Sequence, residues 1–234
     1  RDCKPLQGIL DRALAKYDIP FFWDNRKPLS ASPIFRFLRS ALEVACGDSA
    51  KLLGCLKSGF FDLDPQAVCR LENYAVENGK RTLTDFRKPW PDPEIDPIRA
   101  SAMKRLDALA LGIDKAEALG FAKSIYEFLQ NSGVRKRFDE LAELEKIPRL
   151  EAIMTGPRRA YNTLMTLLDS FVSALSHNEA LPKLSKRRYC DILTLMADAM
   201  TIGEIPAHID CLQVGGADLI RPANAKAVFV IGAN

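Results

Sequence analysis

A chain of 234 residues with 47% hydrophobic and 27% charged residues has the balance of a folded globular protein with one sizeable core or two small ones. No apolar run approaches the roughly 18 residues that cross a bilayer, so a soluble chain with no membrane partner is expected. A net charge of +3 is too small to argue for nucleic acid by its sum, and the distribution of the basic residues carries more.

Leu6, Ile9, Leu10, Ala13, Leu14 and Tyr17 share one helical face, and Ile19 to Trp23 after Asp18 reads as a short apolar strand with Pro20 near its start. Ser32-Pro33, a cap residue followed by the proline favoured at the first helical position, opens a second helix that turns Ile34, Phe37, Leu38, Ala41, Leu42 and Ala45 inward and ends at Gly47. Asp64-Pro65 opens a third, running to Asn78-Gly79. Residues 80–97 are expected to be an irregular connection, because Pro89, Pro91, Pro93 and Pro97 each remove a backbone donor and bias the preceding residue away from helix. Asp96-Pro97 starts the next helix, and the pattern predicts further helices over 114–131, 133–146, 157–176 and 185–200.

Strand signals return at Ile209 to Val214 and at Val228 to Ile231. The latter is a β-branched and aromatic run of the kind found inside a sheet, apolar on both faces. Opening at Arg1 and finishing on such a strand, the chain reads as a piece of a larger protein. Helix and strand at both ends enclose a long helical middle. The simplest physical account is one α/β domain whose chain leaves, builds an all-α domain and returns; the alternative is a single α-rich domain with a small edge sheet.

Cys3, Cys46, Cys55, Cys69, Cys190 and Cys211 form no C-x-x-C pair, and His177 and His208 are the sole histidines, so no zinc site is expected and the cysteines read as reduced residues of an intracellular protein. His208 beside a strand and His177 near a helix end read as structural. Asp62, Asp64 and Glu72 can be imagined as a metal-binding nuclease cluster, but a helix cap accounts for Asp64 and solvated faces for the others. No G-x-x-x-x-G-K-[ST] is present, so the chain by itself lacks the loop that ATP hydrolysis requires.

The basic residues give the candidate binding surface. Lys80, Arg81, Arg87, Lys88 and Trp90 flank the proline-rich connection, where a basic groove with a stacking aromatic suits single-stranded DNA and a solvated loop anchored by a packed Trp90 is the structural alternative. Arg158 and Arg159 follow Gly156-Pro157 at an expected helix start, where positive charge opposes the helix dipole and points to an anionic partner, phosphate or acidic protein. Lys183, Lys186, Arg187 and Arg188 gather around one helix turn, as a DNA or partner contact or as a solvated face. Arg36 and Arg39 lie on the polar side of the second helix. Arg135, Lys136 and Arg137 are expected to pair along their own helix with Asp139, Glu140, Glu143 and Glu145.

Two segments carry a resemblance. ILDRALAKYDIPFFWDNRKPLSASPIFRFLRSALEV, from Ile9 to Val44, and TIGEIPAHIDCLQVGGADLIRPANAKAVFVIGAN, from Thr201 to Asn234, resemble the second RecA-like domain of UvrD-like superfamily 1 helicases. Within that superfamily they are most similar to the AddB (RexB) family of bacterial helicase-nuclease subunits, with its Y-x-I-P-F/Y, L-R-S-A-L-E, D-Q-V-x-V-G-x-A-D-x-x-R and K-A-V-F-V-L-G-A-N phrases. Cys211 stands where that family usually has glutamine.

The resemblance implies a mostly α fold with a small α/β part. A discontinuous RecA-like (P-loop NTPase-type) 2A domain fragment at 1–46 and 206–234 would be interrupted by an all-α 2B-like domain at 47–205. It places Arg1 at the motif IV arginine that reaches toward nucleotide. It places Gly215, Gly216, Asp218 and Arg221 in a degenerate motif V region that lacks the K-G-L-E of active relatives. It further implies a non-catalytic, RecC-like role in double-strand break repair by homologous recombination, with Chi-like sequence scanning in the bacterial cytoplasm. The implied partners are single-stranded DNA, duplex ends and an AddA-type subunit, while Mg2+, ATP and a 4Fe-4S cluster belong to parts of the parent protein outside this chain. A piece of an active UvrD-like helicase and an α-helical protein-interaction module are the competing readings. The last predicts that the two terminal segments do not share a sheet.

Overall fold

The structure, a computed structural model, describes residues 4–23, 26–114, 116–145, 151–176, 184–203, 211–216 and 225–231. In chain order the first elements are α1 (Lys4–Lys16), β1 (Phe21–Trp23), β2 (Lys27–Pro28), α2 (Pro33–Ala45), α3 (Leu52–Leu56), α4 (Pro65–Glu77) and α5 (Leu83–Arg87). They are followed by α6 (Asp96–Ile113), α7 (Ala118–Asn131), α8 (Val134–Glu145), α9 (Glu151–Ser176), α10 (Lys186–Ala199), β3 (Thr201–Ile202) and β4 (Leu212–Val214). The chain divides into two units, 1–27 with 203–234, and 28–202.

In the first unit β1 and β4 pair in parallel, with Phe21 opposite Leu212, Phe22 opposite Gln213 and Trp23 opposite Val214. Pro20 has no N–H to give, but its carbonyl accepts from the Leu212 amide at 2.8 Å and extends the ladder. The Trp23 indole Nε1 donates to Asp11 Oδ1 at 2.6 Å, tying β1 to α1. Parallel strands need a crossover rather than a tight turn, and here the whole second unit lies between them in sequence.

Val228 to Ile231, expected as a buried strand, is not one. Its four side chains are exposed, Phe229 at 81%. A segment apolar on both faces becomes a strand only where neighbours supply a ladder and cover, and among the described residues β1 and β4 pair with each other alone.

The second unit is built around α2. The Ser32 hydroxyl caps it by accepting from the Phe35 amide at 3.3 Å, Pro33 occupies its first turn, and Gly47 ends it at a φ of 106°. Eight of its residues are buried, Ile34, Phe35, Phe37, Leu38, Ala41, Leu42, Val44 and Ala45, against α3, α6, α9 and α10. Asp64 caps α4 through the Ala67 amide at 3.0 Å, and Ser185 caps α10 through the Arg188 amide at 3.3 Å. The Leu29 amide donates to the Met200 carbonyl at 2.8 Å and so joins the two ends of this unit.

The divide therefore falls at 27/28 and 202/203 rather than at the expected 46/47 and 205/206. The reason is α2: its apolar residues complete the helical core, so by its contacts it belongs with the helices that follow. Two further differences bear on the candidate site. The proline-rich connection contains the short helix α5, started by a capping box in which Thr82 Oγ1 accepts from the Asp85 amide and the Asp85 carboxylate accepts from the Thr82 amide. Helix α9 starts at Glu151, six residues before the expected start, and holds Pro157 within it.

Candidate nucleic-acid interface

The connection from Lys80 to Trp90 resolves into a packed structure with a basic rim. Trp90 is 5% exposed: its ring stacks on Tyr74 with centroids 5.1 Å apart and meets Phe86 at 5.0 Å, and its Nε1 donates to the Asp85 carbonyl at 2.9 Å. A buried ring packed on two aromatics with its one donor committed has no open face for a nucleotide base, so Trp90 is a structural anchor and leaves the set of DNA contacts.

The anchor rests on Arg99, a residue to which no sequence motif points. Arg99 is buried in α6; its Nε donates to Asp96 Oδ1 at 2.6 Å and its Nη1 to the Phe86 carbonyl at 2.6 Å, while the same carboxylate oxygen accepts from the Trp90 amide at 2.7 Å. The Arg99 hydrogen bond, followed by the Trp90 amide, holds the Asp96 carboxyl below the usual aspartate range. Asp85 is held low in the same sense, by the Thr82 hydroxyl and then by the Thr82 and Arg81 amides.

What remains on the rim is cationic. Arg87 is exposed and reaches Asp107 Oδ1 through Nε at 3.0 Å and Nη2 at 2.9 Å. Arg81 and Lys88 are exposed, and Lys80 is half-buried.

Helix α2 carries Arg36 and Arg39 on its exposed side. Arg36 Nη2 donates to the Ala31 carbonyl at 2.8 Å, and Arg39 Nε pairs with Glu43 Oε1 at 3.1 Å, with Lys51 on the other carboxylate oxygen at 3.8 Å. Arg158 and Arg159 lie in the second and third turns of α9, not at its start. The dipole conflict that pointed to an anionic partner therefore disappears, because it acts only within the first turn. Arg158 is exposed and Arg159 half-buried.

At the start of α10, Lys186 Nζ lies 3.4 Å from Asp114 Oδ1. Arg187 and Arg188 are exposed, and neither makes a salt bridge to another described residue. Helices α2, α9 and α10 pack on one another, so the carriers of three basic groups share one assembly, while Arg87 and Lys88 lie at the end of α5, which packs on α6.

Arg1, Lys183, Asp218 and Arg221 lie outside the described residues, as do His177 and His208. Gly215 and Gly216 follow β4 and are half-buried. The imagined metal cluster is dispersed: Asp64 caps α4, Glu72 pairs with Lys57, and Asp62 Oδ1 pairs with Lys136 at 2.7 Å. No group of three metal-ligating side chains occurs among the described residues. Lys136 thus pairs with the loop between α3 and α4, whereas Arg137 pairs with Glu140 along α8 at 3.1 Å.

Chemically, the site offers exposed guanidinium and ammonium groups on a rigid helical support. These can track a phosphate backbone.

No family model matches the chain. Curated relatives do. The chain is 26% identical over 256 aligned positions to the AddB subunit of the ATP-dependent helicase/deoxyribonuclease of Clostridium botulinum, covering 100% of this chain and 22% of that protein. The proteins of the same name from Alkaliphilus oremlandii, 26% identical over 97% of the chain, and Desulfitobacterium hafniense, 26% identical over 100% of it, are covered over 22% and 21% of their own lengths. The chain thus spans about a fifth of the relatives it matches.

Proposed function

We propose that this chain, a homologue along its whole length of the AddB subunits of ATP-dependent helicase/deoxyribonucleases, is a non-catalytic, helicase-derived part of such a protein that guides unwound DNA and contacts a partner subunit. The observation that carries the reading is the parallel ladder of β1 with β4, formed by segments from the two ends of the chain with a mostly helical unit between them. That arrangement supports an interrupted RecA-like 2A domain with a 2B-like insertion. It speaks against an interaction module whose ends share no sheet.

In this reading the parent protein works in double-strand break repair by homologous recombination in the bacterial cytoplasm. It takes single strands and duplex ends as ligands, scans for a Chi-like sequence, and forms a heterodimer with an AddA-type subunit. The K-G-L-E of motif V, missing from the corresponding stretch at 215–226, supports leaving translocation to that partner rather than to a UvrD-like motor.

The Mg2+, ATP and 4Fe-4S cluster of the parent are assigned to residues beyond this chain. Among the described residues the cysteines form no group that could hold a four-thiolate cluster. Cys55 is fully buried, with its thiol pushed up to about 12 by desolvation, Cys69 is exposed on α4, and Cys46 and Cys190 face each other elsewhere.

The test is anisotropy of labelled single-stranded DNA against salt. Weak affinity with a steep log-log salt slope supports a phosphate-tracking surface, and no binding even at low salt reduces the chain to a protein-contact module.

A further inference from the structure

We propose that Cys46 and Cys190 form a reversible dithiol–disulfide site, oxidised by hydroperoxides, that bonds the C-terminus of α2 to the second turn of α10. Cys46 is the residue that caps α2, Cys190 lies 144 residues away in sequence, and their sulfurs are 3.8 Å apart within the helical unit. Both thiols are half-buried, open enough for a small oxidant and enclosed enough to stay face to face. A disulfide needs the sulfurs at about 2 Å, an approach that side-chain rotation on two helices already in contact can supply.

The surroundings assign different parts to the two sulfurs. The two sulfurs share a hydrogen bond in which either can donate, and Lys186 and Arg187 add positive charge at Cys46 against burial and the carboxylate of Asp191. Together they hold the Cys46 thiol down to about 7. Cys190 is pushed the other way, by its hydrogen bond to Cys46 and then by burial, and stays protonated. With cationic Lys186 and Arg187 beside it, Cys46 is given the nucleophile's part in this proposal and Cys190 the resolving one.

The Cys46 thiolate attacks one oxygen of the peroxide; an S–O bond forms, the O–O bond breaks and hydroxide leaves. The Cys190 sulfur then attacks the sulfenic Cys46; the S–S bond forms, the S–O bond breaks, and the second hydroxide departs as water with the Cys190 proton. The first hydroxide takes up the proton lost from Cys46, so the two thiols give up two electrons and two protons and hydrogen peroxide is reduced to two waters, or an organic hydroperoxide to an alcohol and one water. A dithiol reductant reverses the bond. The inference is independent of whether the chain binds DNA.

The experiment is exposure of the purified chain to hydrogen peroxide, quenching with iodoacetamide, and peptide mapping before and after dithiothreitol. The expected result is a Cys46–Cys190 cross-linked peptide that dithiothreitol removes, with exposed Cys69 still alkylatable. Cys190→Ser is expected to trap a dimedone adduct on Cys46, and Cys46→Ser to give neither adduct nor cross-link. The proposal is overturned if Cys46 and Cys190 both stay alkylatable while Cys69 is oxidised, or if the cross-link joins other cysteines.

Discussion

Phe37 of α2 stacks on Phe128 of α7, with ring centroids 5.6 Å apart and an angle of 25° between the rings. Phe37 also meets Phe60 and Phe61, so one side chain of α2 sits inside an aromatic cluster drawn from later parts of the helical unit. Removing α2 would therefore remove core and not a linker. Its six large buried residues, Ile34, Phe35, Phe37, Leu38, Leu42 and Val44, contribute about 1.5–3 kcal/mol each. Their sum rivals the roughly 5–15 kcal/mol net stability of a whole domain. Residues 28–202 expressed alone are expected to unfold cooperatively in urea, and residues 47–205 to show no cooperative transition. Equal transitions for the two would place α2 outside this core.

Gly133 lies against Asp62 at the turn between α7 and α8. A Cβ built on Gly133 would stand 2.6 Å from Asp62 Cβ and 2.9 Å from its backbone nitrogen, and the glycine itself has a φ of 90°. Gly133→Ala thus combines a left-handed backbone penalty with a clash that no flexible side-chain end can relieve, an expected loss of about 2–5 kcal/mol. Gly79, at a φ of 62° with open space around it, provides the control. Gly79→Ala is expected to lose about 1–2 kcal/mol from backbone conformation alone. Comparing the two denaturation midpoints separates strain from overlap, and equal losses would show that the Asp62 contact yields freely.

Arg99 and Asp96 set an acid limit on the same unit. Arg99→Ala strands the Phe86 carbonyl and removes the main partner of Asp96, with an expected loss of about 2–3 kcal/mol. The pH dependence has a definite sign. The Asp96 carboxyl is depressed below its ordinary 3.8 by the Arg99 and Trp90 hydrogen bonds, so its contribution is complete above 3.8 and is lost as pH falls through the lower, folded-state value. Urea midpoints of the parent chain should fall on that acid side more steeply than those of Asp96→Asn. Parallel acid arms would mean that the carboxylate charge contributes nothing to folding.

The features legible in the sequence were those in which a residue acts on its own neighbourhood. Ser32, Asp64 and Ser185 announce their helices because each cap satisfies the amide three residues on. Helix α5 was hidden because its four nearby prolines outweighed a capping box closed by Asp85 instead of the usual Glu or Gln. Gly156-Pro157 looked like a boundary, yet α9 runs through it, since tertiary packing overrides a local breaker. What Trp90 does depends on Tyr74 and Asp96, and what Cys46 faces is 144 residues away; no local pattern carries either contact. The same limit applies to Val228 to Ile231, whose composition fits a covered strand while its surroundings decide whether one forms.

The DNA-guiding role makes its sharpest prediction at α10. Arg187 and Arg188 are exposed without a salt bridge to another described residue, whereas Arg87 is engaged with Asp107 and Arg39 with Glu43. A guanidinium that first has to leave a carboxylate gains less from a phosphate, so the α10 pair should dominate any backbone contact. Each single-strand phosphate neutralised contributes about 0.7 to the log-log salt slope. Arg187→Ala with Arg188→Ala is expected to lower that slope by about 1.4 if each residue neutralises one phosphate. Arg39→Ala should leave the slope nearly unchanged, and Trp90→Phe should affect stability far more than binding. Anisotropy titrations of a labelled oligonucleotide across salt concentrations give all three values. An unchanged slope in the α10 double variant, with the fold intact by circular dichroism, would move the contact elsewhere on the unit and leave α10 as a solvated helix or a protein-binding face.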